Sequence, residues 1–282
     1  MPAYLLSWPF EPVVIVGVEI AAALYIVGGV GRRSDPRWRS LCFWAGLVTI
    51  LVALQSPIEM LARQLFWIHM VQHLLLTVVA APLLALASPW TRMWRALPRS
   101  WRRGIAKPIF REPALEPLRQ AYRRMANPTV VWFAAAANLW LWHAPPLYDL
   151  TLRNHLVHHL EHTLFLLLGL AFWACVIDQY PFHSRLSSIG RAAYVFLAMI
   201  QSWGLAAILS FATGPFYAYA LLPGRPGGIS ALTDQQLGGG MMWVPGAVTY
   251  SIAFVALLFR WLADEDAKPA LSVIEGGHTV GG

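Results

Sequence analysis

Seven long apolar runs constrain this chain more than any other feature. Each approaches the roughly 20 residues that an α-helix needs to cross a bilayer, and the sequence is 57% hydrophobic and only 12% charged. The runs are too long and too continuously apolar for barrel strands, so no sheet is expected. The pattern predicts an all-α polytopic membrane protein with seven transmembrane helices, of which the second and fourth are short. The runs fall at about 12–30, 41–56, 65–88, 128–144, 156–177, 192–212 and 241–261.

The distribution of Lys and Arg predicts the orientation of the bundle. Basic residues are retained on the cytoplasmic side of membrane proteins, and 18 of the 21 Lys and Arg fall in segments that are cytoplasmic if the N-terminus is outside. We therefore expect the N-terminus outside and the C-terminus inside. This topology and attraction to anionic membrane lipid explain the net charge of +7, so nucleic-acid binding is not expected.

One transmembrane domain, residues 1–264, accounts for nearly all of the chain. Its first residues lack the positive charge and the small-residue cleavage site of a removed signal peptide, so the first helix is expected to be retained. Residues from about 91 to 126 alternate Trp, Leu and Ile with Arg, which predicts a basic segment lying on the cytoplasmic membrane surface. The polar segment 265–282, which ends in glycines, is expected to be a disordered cytoplasmic tail.

Histidines cluster at the start of two of the predicted helices. His69 and His73 are one turn apart, and positions 155, 158, 159 and 162 lie within about a 100° arc of one helix face. Both helices should begin outside, so the two imidazole stripes can face each other. Polar groups at membrane depth are costly and usually line an interior or a cavity, which indicates a functional site. The predicted histidine ligands are His69, His73, His158, His159 and His162.

Other residues near the stripes can be interpreted in more than one way. His143 and His155 stand at helix ends, where a single histidine is often only an interfacial residue. Glu161 lies about 110° from the centre of its stripe and could either orient a ligand from outside or pair locally. Met241 and Met242 begin the last helix after a predicted Gly238–Gly240 hinge in a loop, although methionine is also common in apolar helices.

The residue types at this site favour copper over zinc. Imidazole suits zinc, copper, iron and nickel, whereas thioether sulfur adds a preference for soft Cu(I). The histidines and the pair Met241 and Met242 together therefore predict a copper site. No Glu follows His69 directly, so the helical zinc-protease motif is absent.

Four motifs, taken together, resemble a known family. Any one alone is weak, but the set resembles the multi-spanning CtaG family of cytochrome c oxidase assembly factors over roughly residues 10–262. The resemblance implies a multi-pass protein of the bacterial plasma membrane that is not an enzyme. The motifs are HMVQHLL (69–75), APLL (81–84), HHLEH (158–162) with Gly169 and Phe172-Trp173 after it, and DQQLGGGMMW (234–243).

The resemblance also implies the cargo and the partners. Such a protein helps to build the copper centres of haem–copper oxidases by carrying copper toward subunit I, the oxidase subunit that holds haem and copper together. Other copper chaperones are further partners in this interpretation. Asp234, the acidic residue of the last motif, is implied to belong to the metal site with Met241 and Met242.

Two other classes of function remain open from the residues. His69 or His73 could ligate a b-type haem together with His158 or His162, as axial imidazoles do across two helices. The chain would then be a membrane redox protein. A transporter that moves copper through the bundle is disfavoured because few polar residues lie in the inner half of the predicted helices.

Overall fold

The fold is built from helices. The computed structural model describes residues 8–31, 36–181, 183–221 and 226–266, and no β-strand occurs among them. This confirms the predicted all-α class. The predicted disordered tail, 265–282, lies outside the described residues from 267 onward, and residues 265 and 266 are the last two of a helix.

The α-helices of the described residues are numbered α1 to α13. The first seven are α1 (Pro12–Gly29), α2 (Arg37–Gln55), α3 (Pro57–Ala62), α4 (Phe66–Leu74), α5 (Ala81–Ala87), α6 (Trp90–Ala96) and α7 (Arg99–Arg111). The other six are α8 (Glu116–Met125), α9 (Pro128–Trp142), α10 (Pro145–Arg153), α11 (His155–Val176), α12 (Ser188–Ser210) and α13 (Ala231–Asp266). A π-helical segment, Leu75–Ala80, joins α4 to α5 in one continuous run.

Six of the described helical runs are long and apolar enough to cross a membrane. They are α1, α2, the α4–α5 run, α11, α12 and α13, and they make the chain a multi-pass membrane protein. The predicted fourth span corresponds to α9, which has only 15 residues. At 1.5 Å per residue α9 is about 22 Å long, which is short of the roughly 30 Å hydrocarbon core.

Hydrogen bonds between helices give the direction of α9. Trp132 and Trp140 donate their indole N–H groups to the Tyr194 carbonyl and the Gln201 side chain of α12, at 3.2 and 2.8 Å, so α9 and α12 run in parallel. α11 runs the opposite way, because the Val176 carbonyl at its end accepts a hydrogen bond from the first turn of α12. α9 therefore returns the chain to the end of the bundle at which α11 begins, here called the histidine end.

The long helices alternate in direction along the chain. Glu11, which precedes α1, contacts His155 at the start of α11, and Gln55 at the end of α2 bonds to Glu11. Asp234 near the start of α13 bonds to Phe66 at the start of α4. α1, α4, α11 and α13 thus begin at the histidine end, whereas α2, α9 and α12 end there.

A proline explains the π-helical segment between α4 and α5. Pro82 has no N–H, and its ring would clash with the Val78 carbonyl in a straight α-helix. A π turn widens the helix locally and accommodates the ring. The Thr77 carbonyl in this segment accepts a hydrogen bond from the Trp173 indole at 2.8 Å, which ties the run to α11.

The segment predicted to lie on the membrane surface forms three helices, α6, α7 and α8. None of them has a buried residue. Arg92 of α6 donates to the Tyr25 carbonyl near the end of α1 at 2.7 Å, away from the histidine end. The exposed basic helices agree with an amphipathic surface segment, and their location on the membrane surface stays a prediction.

The predicted loop with a hinge at Gly238–Gly240 is wrong, because these residues lie inside the continuous helix α13. A Cβ at Gly238 would lie 2.3 Å from the Phe66 ring of α4, and one at Gly239 would lie 2.8 Å from a backbone nitrogen of α12. Small residues let membrane helices approach closely. The two glycines therefore serve close packing of α13 against α4 and α12 rather than bending.

Candidate metal centre

Asp234 fixes the start of α4. Its carboxylate oxygens accept hydrogen bonds from the backbone N–H groups of Phe66 and Trp67, each at 3.0 Å. These N–H groups have no acceptor within their own helix, and the negative charge matches the positive end of the helix dipole. The cap places His69 and His73, one turn apart, on the buried face of α4.

Asn154 fixes the start of α11. Its side-chain oxygen accepts hydrogen bonds from two backbone N–H groups of the first turn, at 2.9 and 3.3 Å, as a good N-cap residue does. Helical geometry then turns positions 158, 161 and 162 to one side. His158, Glu161 and His162 are all buried there.

Four buried side chains, His69, His73, Glu161 and His162, converge between α4 and α11 and are here called the buried group. Glu161 Oε2 lies 3.3 Å from His69 Nε2, and Glu161 Oε1 lies 3.4 Å from His73 Nε2. One ligand atom from each of the four lies within 4.8 Å of the others. Ligand atoms around a tetrahedral ion are about 3.3 Å apart, so small side-chain shifts would complete a four-coordinate site.

The atoms that face one another in the buried group lack hydrogen-bond partners. They are Nε2 of His69, Nε2 of His73, Nε2 of His162 and both carboxylate oxygens of Glu161, and the other ring nitrogen of His73 is unpaired as well. Buried polar atoms are nearly always hydrogen-bonded, so this concentration of unpaired atoms requires an explanation. A cation bound among them would accept their lone pairs and supply it.

A chain of hydrogen bonds sets the protonation of His69. The Ala62 carbonyl can only accept, so the Tyr219 hydroxyl donates to it, and the Tyr148 hydroxyl donates to Tyr219 at 3.3 Å. The Tyr148 oxygen then accepts from Nδ1–H of His69 at 2.7 Å. Nε2 of His69 is therefore unprotonated and presents its lone pair to the buried group. Metal-binding histidines are commonly oriented by such an outer hydrogen bond.

A second set of ligand atoms, the connecting group, adjoins the first. It consists of Glu59, His158 and His162, so His162 belongs to both groups. Glu59 accepts hydrogen bonds from Gln72 at 2.7 Å and Arg63 at 3.1 Å. Burial raises the pKa of the Glu59 carboxyl above its ordinary value, and the contacts with Gln72 and Arg63 oppose this rise.

The side chains of the predicted histidine ligands point in two directions. Four of the five face the interior between α4 and α11 and are buried. His159 is partly exposed instead, and its Nε2 lies 3.2 Å from Glu11 Oε2 beside α1. A rotation of 100° per residue separates position 159 from the face shared by 158 and 162. The four inward residues are His69, His73, His158 and His162.

The three other predicted ligands have different surroundings. Asp234 uses both carboxylate oxygens to cap α4. Met242 is buried in the same hydrophobic cluster as Met70 and lines a cavity of about 80 Å³ that also reaches His73. Met241 is only partly buried.

Sequence reasoning assigned no ligand role to three residues at this centre. Glu161 is its central carboxylate, and the signal for it was a charged residue at membrane depth. Met70 Sδ lies 3.1 Å from Nε2 of His143, and the His143 ring lies 5.8 Å from the His73 ring. The thioether that adjoins the buried group is therefore Met70, which no pattern in the sequence singled out.

The geometry argues against a haem held between α4 and α11. Axial histidines must stand on opposite sides of a porphyrin ring. His69 and His73 instead contact Glu161 at 3.3 and 3.4 Å, and the His69 ring lies 5.2 Å from those of both His158 and His162. Side chains in such close contact leave no space for a porphyrin plane.

Comparison with curated proteins finds mycobacterial relatives. The chain is 25% identical to an uncharacterized protein of Mycobacterium leprae, over 94% of this chain and 40% of that protein. Proteins of Mycobacterium bovis and Mycobacterium tuberculosis are also 25% identical, over 93% of this chain and 40% of theirs. The chain thus spans about two fifths of the length of these relatives. No solved structure matches it.

A family comparison covers most of the chain. Residues 23–264 match the family described as cytochrome c oxidase caa3 assembly factor. The match spans α2 to α13, and so it contains every residue of the buried and connecting groups. It confirms the resemblance carried by the four sequence motifs. The chain belongs to the Caa3_CtaG family of cytochrome c oxidase caa3 assembly factors.

Proposed function

We propose that this protein is a copper-binding assembly factor that helps to deliver copper to the haem–copper centre of cytochrome c oxidase. Membership of an oxidase assembly family supplies the assembly role. The observation that carries the copper step is the buried group, in which three imidazoles and one carboxylate converge with unpaired lone pairs. The role is non-catalytic, because copper is a cargo that is bound and released.

The donor set supports copper as that cargo. Among divalent first-row metals, the affinity of a given set of nitrogen and oxygen ligands is highest for copper. Met70 and His143 adjoin His73, so a thioether and a further imidazole lie beside the buried group. Thioether sulfur favours Cu(I) over zinc.

The proposed cellular setting follows from the family and the membrane helices. The recipient is the oxidase, and we take subunit I as the contact because it carries the haem–copper centre. Other copper chaperones are proposed as the source of the ion. Location in a bacterial plasma membrane agrees with the mycobacterial relatives and the six apolar helices.

We further propose that α9 is a seventh crossing and that the histidine end is outside. The α4–α5 run and α11 both point away from the histidine end, so the chain must return across the bundle between them, and α9 makes that return. The positions of Lys and Arg favour an outside N-terminus and an inside C-terminus. The buried group is then loaded from the extracytoplasmic side.

Cysteine labelling tests this topology. In a protein with Cys42→Ser and Cys175→Ser, the exposed change Pro146→Cys on α10 should react with a membrane-impermeant maleimide in intact spheroplasts. The exposed change Arg103→Cys on α7 should react only after the membrane is opened. The reverse labelling pattern would put the histidine end in the cytoplasm and contradict the proposed topology.

The copper content of the oxidase tests the proposed function. In a strain that lacks this protein and grows at low copper, the oxidase should accumulate with haem but without its full copper. Metal analysis and haem spectra of the purified oxidase measure both quantities. Added copper should partly restore the centre by mass action. An oxidase with normal copper and normal activity in the deletion strain would contradict the proposed role.

A further inference from the structure

A third cluster, Glu11, His155 and His159, stands at the surface of the histidine end and is here called the rim group. Glu11 Oε1 lies 3.0 Å from His155 Nε2, and Glu11 Oε2 lies 3.2 Å from His159 Nε2. One ligand atom from each residue lies within 4.8 Å of the others. The two imidazole side chains are 46% and 33% exposed, so this group lies at the protein surface, unlike the buried group.

The backbone of Glu11 is held in place by hydrogen bonds that do not use its carboxylate oxygens. The backbone N–H of Glu11 donates to Gln55 Oε1 at 3.2 Å, and the Gln55 amide donates to the Glu11 carbonyl at 2.9 Å. This reciprocal pair involves only the backbone of Glu11. The pair fixes the backbone from which the side chain extends, and the side chain itself is only 13% exposed.

The three groups form a connected series from solvent to the interior. His155 of the rim group is one turn before His158 of the connecting group, and His162 is shared by the connecting and buried groups. A cavity of about 180 Å³ is lined by His155, His158 and His69. It thus touches a member of each group. Since a water molecule occupies about 30 Å³ in the liquid, this cavity has room for a partly hydrated ion.

Arg63 lies between the rim and connecting groups. Its guanidinium is 3.6 Å from Glu11 Oε1 and 3.1 Å from Glu59 Oε1. It neutralises both carboxylates in the metal-free protein, and because its side chain is 44% exposed, it can turn into solvent when a cation arrives. Its charge also weakens a cation held nearby, which suits a site that passes its ion on.

We propose that Glu11, His155 and His159 bind a copper(II) ion at the rim and that this site loads the buried group through His158. The second step rests on the proposed copper function, whereas the rim site itself does not. Two imidazoles and one carboxylate leave coordination positions open to water, so ligands at the rim exchange readily. The series lets the ion exchange its ligands one or two at a time, without full rehydration at membrane depth.

Titration of the purified protein in lipid nanodiscs with Cu²⁺ alone tests the rim site. The unmodified chain should bind two ions, one that exchanges rapidly and one that exchanges slowly. The variant His155→Ala/His159→Ala should lose the rapid ion, and its buried group should fill more slowly than that of the unmodified chain, because the ion no longer finds ligands at the entrance to the cavity. Electron paramagnetic resonance should lose the signal of the rim copper at the same time.

A second variant keeps this test independent of folding. Glu11→Gln removes the carboxylate but keeps the backbone pairing with Gln55, and it should weaken the rapid ion about tenfold. The exposed histidine His183, at the opposite end of the bundle, provides the control His183→Ala, which should bind both ions normally. Two ions with the unmodified loading rate in both rim variants would overturn the rim proposal.

The same titration separates this proposal from the proposed function. The variant His69→Ala/His73→Ala should lose only the slow ion and keep the rapid one. If the unmodified protein bound the rapid ion and no slow ion, the buried copper site would be refuted while the rim site stood. If the slow ion bound at the unmodified rate in the rim variants, loading through the rim group would be refuted, whereas the buried site would remain supported.

Discussion

Replacing His69 and His73 together by Ala is expected to abolish tight copper binding at the buried group. The change removes two of the four proposed ligands, including the imidazole that Tyr148 orients through a 2.7 Å hydrogen bond. Loss of a group that merely orients a ligand weakens metal binding about 10- to 100-fold, so loss of two ligands should weaken it roughly 1,000-fold or more. Competition with a chelator of known affinity measures the change.

The matched control for this variant is His183→Ala. His183 is 69% exposed and pairs with Asp178 at 3.1 Å, far from α4 in the chain and outside all three groups. Its removal should leave copper binding unchanged. Both proteins should insert and elute as single species in size-exclusion chromatography, so that a loss of copper is not a loss of folding. Unchanged copper affinity in the His69→Ala/His73→Ala protein would show that α4 does not ligate the ion.

Apolar length predicted where the long helices lie, because burial in lipid demands about 20 apolar residues whatever the tertiary contacts. It was less exact where packing decides. The predicted fourth span, 128–144, is helical over Pro128–Trp142, and the chain turns at His143, whose ring bonds back to Leu139 and to Met70. Gly238 and Gly239 carry a hinge pattern in the sequence, and only the close approach of Phe66 and α12 shows why glycines stand inside a continuous helix here.

Helical spacing predicted the inward histidines of α4 and α11, since residues four apart share a face. It could not predict that His158 points inward whereas His159 does not, because the limits of a buried helix face depend on the neighbouring helices. In the structure His159 contacts Glu11 at the rim instead. The roles of Tyr148 and Tyr219 could not be predicted from the sequence, for a different reason. Their contacts with His69 and Ala62 join segments more than 70 residues apart, and no local pattern records such a pairing.

Replacing Glu161 by Gln is expected to weaken copper binding and to stabilise the metal-free protein. Glu161 is fully buried, and both of its carboxylate oxygens lack a hydrogen-bond partner. A buried carboxylate without partners destabilises a fold. Gln has nearly the same shape and no charge, and its amide can donate to the unprotonated Nε2 of His69, 3.3 Å from the present carboxylate oxygen.

Opposite signs for the two effects identify Glu161 as a ligand, because a residue with only a structural role would lose stability and keep copper. The thermal midpoint in excess chelator should rise, whereas copper affinity should fall about 10- to 100-fold. Glu116→Gln removes the same charge from an exposed position on α8, where Glu116 pairs with Arg119, and should leave copper affinity unchanged. A lower midpoint together with unchanged copper affinity in Glu161→Gln would refute the ligand role. If the buried group binds the proposed copper ion, the metal-bound state recovers the stability that the unpaired carboxylate costs the metal-free protein.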